Sequence, residues 1–187
     1  MRVFLSLPID GALRMQIGRV ADRLRRETVM PASWVRPESY HVTLRFLGEI
    51  DPALTVSLEK TVTSVAGKFA PFALRVDTVG AFPSADRARV LWVGASAGPA
   101  FVELASALER RLQDSGFSPE RAEPIAHVTM ARIKGRPDAR LPRILETLGS
   151  FPPHALRVDR IVFMESRLSP RGPSYDPLFT VPLRGPD

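Results

Sequence analysis

The sequence predicts an α+β fold built from two related halves. Three observations predict it. Strand-like runs adjoin one another in sequence, with amphipathic helical stretches set among them instead of in strict alternation. A short motif occurs twice, as His41-Val42-Thr43-Leu44 and as His127-Val128-Thr129-Met130. The copies stand nearly half a chain length apart, which suits one duplicated strand–helix–strand unit better than an array of shorter repeats. At 187 residues, positions 1–187 fit one compact domain, or two small lobes sharing a core, large enough to bury about 70% of its unfolded surface.

Arg2–Pro8 (RVFLSLP) reads as a strand. Asp10 then caps an amphipathic helix running to about Arg26, with Leu13, Ile17, Val20 and Leu24 on one stripe. The first motif strand covers about Tyr40 to Leu47 and closes at Gly48. A second helix starts with Asp51 as cap and Pro52 at its first position and stops near Gly67, burying Leu54, Leu58, Val62 and Val65. Strands at about Ala70–Val79 and Arg89–Ala95 flank a hairpin-like connection, Gly80–Ser84. A third helix, about Ala100–Asp114, lies between Pro99 and Gly116, and the second motif strand, about Ile125–Ile133, follows it. The rest reads as a helix near Leu141–Leu148, a strand at Ala155–Glu165, a loop from Ser166 to Pro173, and a last strand at about Tyr175–Leu183.

Chance explains the doubled motif poorly. With nine threonines in the chain, a given histidine meets one two positions on roughly one time in twenty, and two of three histidines do so roughly once in a hundred. In a strand, side chains alternate between faces. His41 and Thr43 therefore share one face while Val42, Leu44 and Phe46 turn to the core, and the second copy repeats the arrangement. Histidine, with an ordinary pKa of about 6.5, takes either protonation state near neutrality. Two of them across a scissile bond can act as base and acid, each role typically worth about a hundred- to ten-thousandfold. The threonine hydroxyls add donors for charge building on a phosphoryl group. A pseudo-twofold arrangement would let the two strands face each other across a groove.

Composition narrows the chemistry. There are no cysteines, which excludes disulfides, thiolate metal sites and cysteine nucleophiles. The three histidines lack metal-ligand spacing, so neither a metal nor another cofactor is expected. No run approaches the roughly 18 apolar residues that span a membrane, so no membrane partner is expected, and with no secretion signal visible the cytoplasm is the expected location. Twenty-six basic residues against twenty acidic ones give +6, and all the cations but Lys60, Lys68 and Lys134 are arginine, whose planar fork suits phosphate; GC-rich coding would favour arginine equally.

Together these residues resemble the two-histidine phosphoesterases, specifically the LigT-like RNA 2′,3′-cyclic phosphodiesterases once called 2′-5′ RNA ligases. The resemblance rests on Arg2-Val3-Phe4, Trp34-Val35, both His-Val-Thr motifs, Phe46-Leu47-Gly48, Gly80-Ala81-Phe82-Pro83 before Arg89-Val90-Leu91-Trp92-Val93-Gly94, Ala131-Arg132, Ser166-Arg167-Leu168 and Gly172-Pro173-Ser174-Tyr175. It implies two antiparallel sheets with outer helices around a central cleft. It also implies metal-independent opening of RNA 2′,3′-cyclic phosphate ends to 2′-phosphomonoesters, with RNA ends or small 2′,3′-cyclic nucleotides as partners and a monomeric protein. In family terms His41 is the proton donor, His127 the proton acceptor, and Thr43, Thr129 and Arg132 the phosphate ligands.

Simple alternation puts Arg132 on the face opposite His127, so that role requires the strand to twist, bulge or end first. The first motif carries Phe46 at the same offset, a candidate substrate contact, as is Tyr175. His154 lacks a threonine partner and is expected at the surface; Trp34 and Trp92 are expected in the core or cleft wall, and Gly80–Pro83 in a turn. A rival reading is a non-catalytic module that binds RNA ends. Weak reverse 2′-5′ ligation is expected from the same site, but no nucleotide-activating lysine motif or Gly-rich phosphate loop is present to drive it.

Overall fold

A computed structural model describes residues 1–96, 98–120, 123–148, 151–169 and 172–185. The chain runs β1 (Arg2–Pro8), α1 (Gly11–Glu27), β2 (Ala32–Trp34), β3 (His41–Glu49), α2 (Thr55–Ala66), β4 (Phe72–Phe82), β5 (Val90–Ser96), α3 (Pro99–Asp114), β6 (His127–Ile133), α4 (Leu141–Thr147), β7 (His154–Val158), β8 (Arg160–Ser169) and β9 (Gly172–Pro182). Asp10 caps α1 by accepting the Leu13 amide at 2.8 Å, and Leu13, Ile17, Ala21 and Leu24 form its buried stripe. Asp51 likewise accepts the Ala53 amide, but the turn Pro52–Leu54 is 3₁₀. Its tighter winding rotates Leu54 off the α2 stripe, leaving that side chain 43% exposed, against expectation, while Leu58, Val62 and Val65 are buried.

The strands pair antiparallel in the order β7-β4-β5-β6-β3-β1-β8-β9, with β2 added beside β6. The expected two sheets are the two wings of this ladder, and a single residue pair, Val42 with Val128, joins them. After α2 the chain crosses so that β4 pairs with β5 in the wing of the second motif, and after β7 it crosses back so that β8 pairs with β1. Val3, Leu5, Leu7, Val42, Val128 and Met130 face one continuous core beneath the helices, with α1 packed on β6 and α3 on β3.

Several boundaries differ from the sequence reading. Gly80, Ala81 and Phe82 belong to β4, paired with Trp92, Leu91 and Val90, so the hairpin turn starts at Pro83. The single strand expected at 155–165 is two: β7 pairs with β4, and β8, after Asp159, pairs with β1 in the other wing. Loop residues expected at 166–173 continue the β8–β9 hairpin as far as Ser169 and Gly172, with 170 and 171 outside the described residues. The short β2 was not anticipated. Among the described residues no helix is long and apolar enough to cross a membrane.

Candidate active site

The pair that joins the wings also assembles the site. Around Val42 and Val128 the antiparallel register sets His41 beside Thr129 and Thr43 beside His127. All four face away from the core, half-buried in the cleft between the wings.

Each imidazole is held in the same way. His41 Nδ1–H donates to the Ser39 carbonyl at 2.8 Å and His127 Nδ1–H to the Ile125 carbonyl at 2.8 Å, in both cases two residues back along the chain. A carbonyl only accepts, so Nδ1 carries the hydrogen and Nε2 is the atom free to take or give a proton. The copies then diverge. His41 Nε2 lies 3.1 Å from Thr43 Oγ1, whereas among the described residues Thr129 makes no such bond to His127, leaving its hydroxyl for a bound group. Burial is the largest influence on both rings and lowers both pKa values below 6.5. The carbonyl bonds oppose this shift, while the Arg132 charge adds to it in both rings, as does the His127 charge at His41.

A bulge answers the question posed by Arg132. In the β5–β6 ladder Trp92 pairs with Thr129 and Leu91 with Ala131, so Met130 is an extra residue; Met130 and Ala131 are both buried, and Arg132 emerges exposed on the face of His127 and Thr129. Its charge acts on His41, His127 and Tyr175 alike. The first motif has a bulge at the same offset: Ser6 pairs with Thr43 and Leu5 with Arg45, making Leu44 the extra residue. Phe46 therefore turns out of the core, contrary to simple alternation, and stands 46% exposed over Phe4 with ring centroids 5.6 Å apart.

Aromatic rings flank both histidines. Phe4 stacks on His41 at 4.8 Å and Tyr175 meets its edge at 5.2 Å. Burial raises the Tyr175 phenol pKa, with Arg132 and Arg2 opposing, so the hydroxyl stays protonated. In the other wing Phe82 meets His127 edge-on at 5.1 Å and stacks on Trp92 at 4.9 Å. Trp92 is thus cleft wall, and the indole fits only because it lies over two glycines: a Cβ at Gly80 or at Gly94 would come within 2.4 Å of it. Trp34 packs at the edge of the core on β2, under Arg25 at 5.0 Å.

On the Phe46 side the cleft opens to about 460 Å³, with Thr43, Phe46, Pro124, Ile125 and His127 in its walls. Arg45, which the sequence did not single out, ties that wall together. It bonds Glu109 at 2.6 Å, Glu120 at 3.4 Å and the Ser118 carbonyl at 2.5 Å, tying α3 and residues 118–120 to β3. Glu109 also accepts the Glu120 amide, and these bonds outweigh burial to hold its carboxyl below the ordinary range. His154 is partly buried, contrary to expectation, and bonds Asp10 at 2.7 Å, supporting the α1 cap from outside the site. Among the described residues no three His, Asp or Glu side chains converge in a group suited to a metal.

Two successive segments, residues 7–92 and 93–175, match the family model described as LigT like Phosphoesterase. An Aeropyrum pernix protein named RNA 2′,3′-cyclic phosphodiesterase is 36% identical over 170 residues, covering 88% of this chain and 95% of that one. A Methanothermobacter thermautotrophicus protein of the same name is 30% identical, covering 93% and 94%. Among solved structures, the Thermus thermophilus protein TT0787 superposes with a TM-score of 0.81 at 26% identity, covering 99% of each chain. Escherichia coli LigT superposes with a TM-score of 0.69 at 24% identity, covering 97% of this chain and 96% of that one.

Proposed function

The chain belongs to the LigT-like phosphoesterase family, and we propose that it is an RNA 2′,3′-cyclic phosphodiesterase, opening RNA ends to 2′-phosphomonoesters with two histidines and no metal. One observation carries the reading: two imidazoles, each with Nδ1–H locked on a backbone carbonyl, present Nε2 to one cleft beside two threonines and an arginine.

In this mechanism neutral His127 takes a proton through Nε2 from a water whose oxygen attacks phosphorus. The bond from phosphorus to the 3′-oxygen breaks, and protonated His41 gives its Nε2 proton to that oxygen. The 2′-phosphate remains, and proton exchange with solvent restores both rings. Thr43, Thr129 and Arg132 hold the non-bridging oxygens as charge builds on them. Tyr175 and Phe46 border the substrate, Phe46 as a surface for a base. The order of the two histidines follows the family; the unequal surroundings, with Arg132 in one motif and Phe46 in the other, are what distinguish them in this chain. Both wings contribute, so residues 1–187 act as one unit, a monomer placed in the cytoplasm with its RNA.

The test is product identification from an RNA with a 2′,3′-cyclic phosphate end, with EDTA present. The expected result is the 2′-phosphate alone, with His41→Ala and His127→Ala each at least about a hundredfold slower. Release of a 3′-phosphate, or full activity in either variant, refutes the proposal. A module that only binds RNA ends would not need two titrating groups held in matched tautomers.

A further inference from the structure

Two depressions on either side of Arg132 along β6 differ in charge. At the Phe46 end, the wall with Pro124 and Ile125 carries Glu109, Glu120 and Glu123 against Arg45 and Arg110, an excess of one carboxylate. At the other end β6 runs past Arg132 into a second depression of about 620 Å³, where Arg87, Arg89, Lys134 and Arg136 face one carboxylate, Asp86.

This basic groove adjoins the site along β6. Lys134 lies two residues beyond Arg132, roughly 7 Å along an extended chain, and both are exposed. Phe82, edge-on to His127, precedes Pro83 at the groove's rim. The two loops that form the groove are tied to each other: Ile133 N–H donates to the Arg89 carbonyl at 2.9 Å, and Arg89 Nη1 donates to the Gly135 carbonyl at 2.7 Å. Arg87, Lys134 and Arg136 are exposed and make no ion pair among the described residues, unlike Arg140 nearby, which is held by Asp138 at 2.8 Å.

We propose that this groove binds the phosphates of the RNA chain 5′ to the cyclic end, making oligonucleotides instead of mononucleotides the preferred substrate class. The inference rests on the function proposed above. Charge sets the direction: at the Phe46 end three glutamates outnumber two arginines, which suits a terminal base, whereas four cations against Asp86 attract a phosphate backbone along Arg132, Lys134 and Arg136. Three cations without carboxylate partners can release bound counterions to solvent when phosphates replace them, the source of salt-dependent affinity.

The triple variant Arg87→Ala/Lys134→Ala/Arg136→Ala is compared with wild type on a 2′,3′-cyclic mononucleotide and on a 12-nucleotide RNA with the same end. The expected result is a fall of about ten- to a hundredfold in kcat/KM on the RNA at low salt, with the mononucleotide changed less than about twofold. Equal losses on both substrates, or no loss on RNA, overturn the inference. Binding of a fluorescent 12-nucleotide RNA with a 2′-phosphate end is read separately by anisotropy, where removing three contacts lowers the salt slope by about 2. An unchanged slope overturns the groove whatever the activity, whereas a wild-type protein that opens neither substrate but shows that slope change refutes only the hydrolase reading. A polyglutamate peptide binding as tightly as the RNA reassigns the groove to acidic protein segments and overturns the proposal.

Discussion

Gly80→Ala tests whether the second histidine is positioned by the packing beneath it. A Cβ at position 80 would lie 2.4, 2.7 and 2.9 Å from Trp92 Cζ2, Cη2 and Cε2. Carbon–carbon contacts are favourable from about 3.5 Å, so the three ring atoms are overlapped by about 0.6 to 1.1 Å at once. Gly80 and Trp92 are ladder partners in β4 and β5, so the backbones are held and the indole must move. It cannot move freely, because Phe82 is stacked on it at 4.9 Å and Phe82 meets His127 at 5.1 Å. Overpacking of this kind costs about 1–3 kcal/mol, which for a domain of this size lowers Tm by about 2–12 °C. A displacement of about 1 Å passed to a catalytic group costs about a hundredfold in rate. Thermal unfolding and single-turnover opening of a 2′,3′-cyclic phosphate measure the two effects. Trp92→Phe takes away the ring atoms that clash, so Gly80→Ala costs far less stability in a Trp92→Phe background than alone. Simple addition of the two single-variant costs, or a Gly80→Ala protein with wild-type Tm and rate, would refute the packing argument.

Both imidazoles titrate below 6.5, so kcat/KM should follow a bell with its maximum on the acid side of 6.5 and fall about tenfold per pH unit above the upper limb; a maximum near pH 8 contradicts the assigned shifts. Because the folded values lie below the unfolded one, the neutral histidines contribute stability above pH 6.5 that is lost as pH falls through the folded values. Urea unfolding should therefore show a decline as pH falls below about 6.5 that is shallower in a His41→Gln/His127→Gln protein. Arg132→Ala should reduce kcat/KM by about a hundred- to a thousandfold and move the bell to higher pH, since it removes a cation that lowers both histidines; a rate loss with an unmoved bell would mean Arg132 acts elsewhere. Arg45→Ala leaves Glu109 and Glu120 without their cation and should cost about 2–4 kcal/mol, read by denaturant unfolding, with faster proteolysis between 115 and 126; Arg45→Lys should recover less than half, because an ammonium cannot span two carboxylates and a carbonyl.

The motif strands and α1, α2 and α3 were legible because each carries a local signal: alternating faces in His41–Leu44 and His127–Met130, Asp10 and Asp51 as caps, Pro99 at the first position of α3. What escaped depends on partners distant in sequence. Gly80 reads as a turn residue until Trp92 is known to lie across it, and Gly94 beneath the same indole is the signal that could have placed both in strands. The break between β7 and β8 is visible only as a phase change, buried Leu156 and Val158 giving way to Ile161 and Phe163, and the two strands belong to different wings. Arg45 resembles any strand arginine until α3 brings Glu109 against it. His154 found a partner in Asp10 across most of the chain's length.

The two bulges explain how a nearly symmetric backbone carries an asymmetric site. Without Leu44 and Met130 as extra residues, alternation would bury Phe46 and Arg132, leaving a cleft of two histidines and two threonines with nothing to tell its halves apart. With them, the fifth residue after each histidine returns to the histidine's own face, and one motif presents an apolar ring where the other presents a guanidinium. The guanidinium also lowers both imidazole pKa values, so the second motif acts on the first as well as on the substrate. Exchanging the two residues, Phe46→Arg with Arg132→Phe, should move the cation to the end of the cleft where Glu109, Glu120 and Glu123 outnumber Arg45 and Arg110, so that Glu123, which Arg45 does not hold, competes with phosphate for it. The exchanged protein should then bind its substrate more weakly than Arg132→Ala does, as measured by KM on a cyclic mononucleotide, and a KM restored to wild type would show that the cation's place in the cleft does not matter.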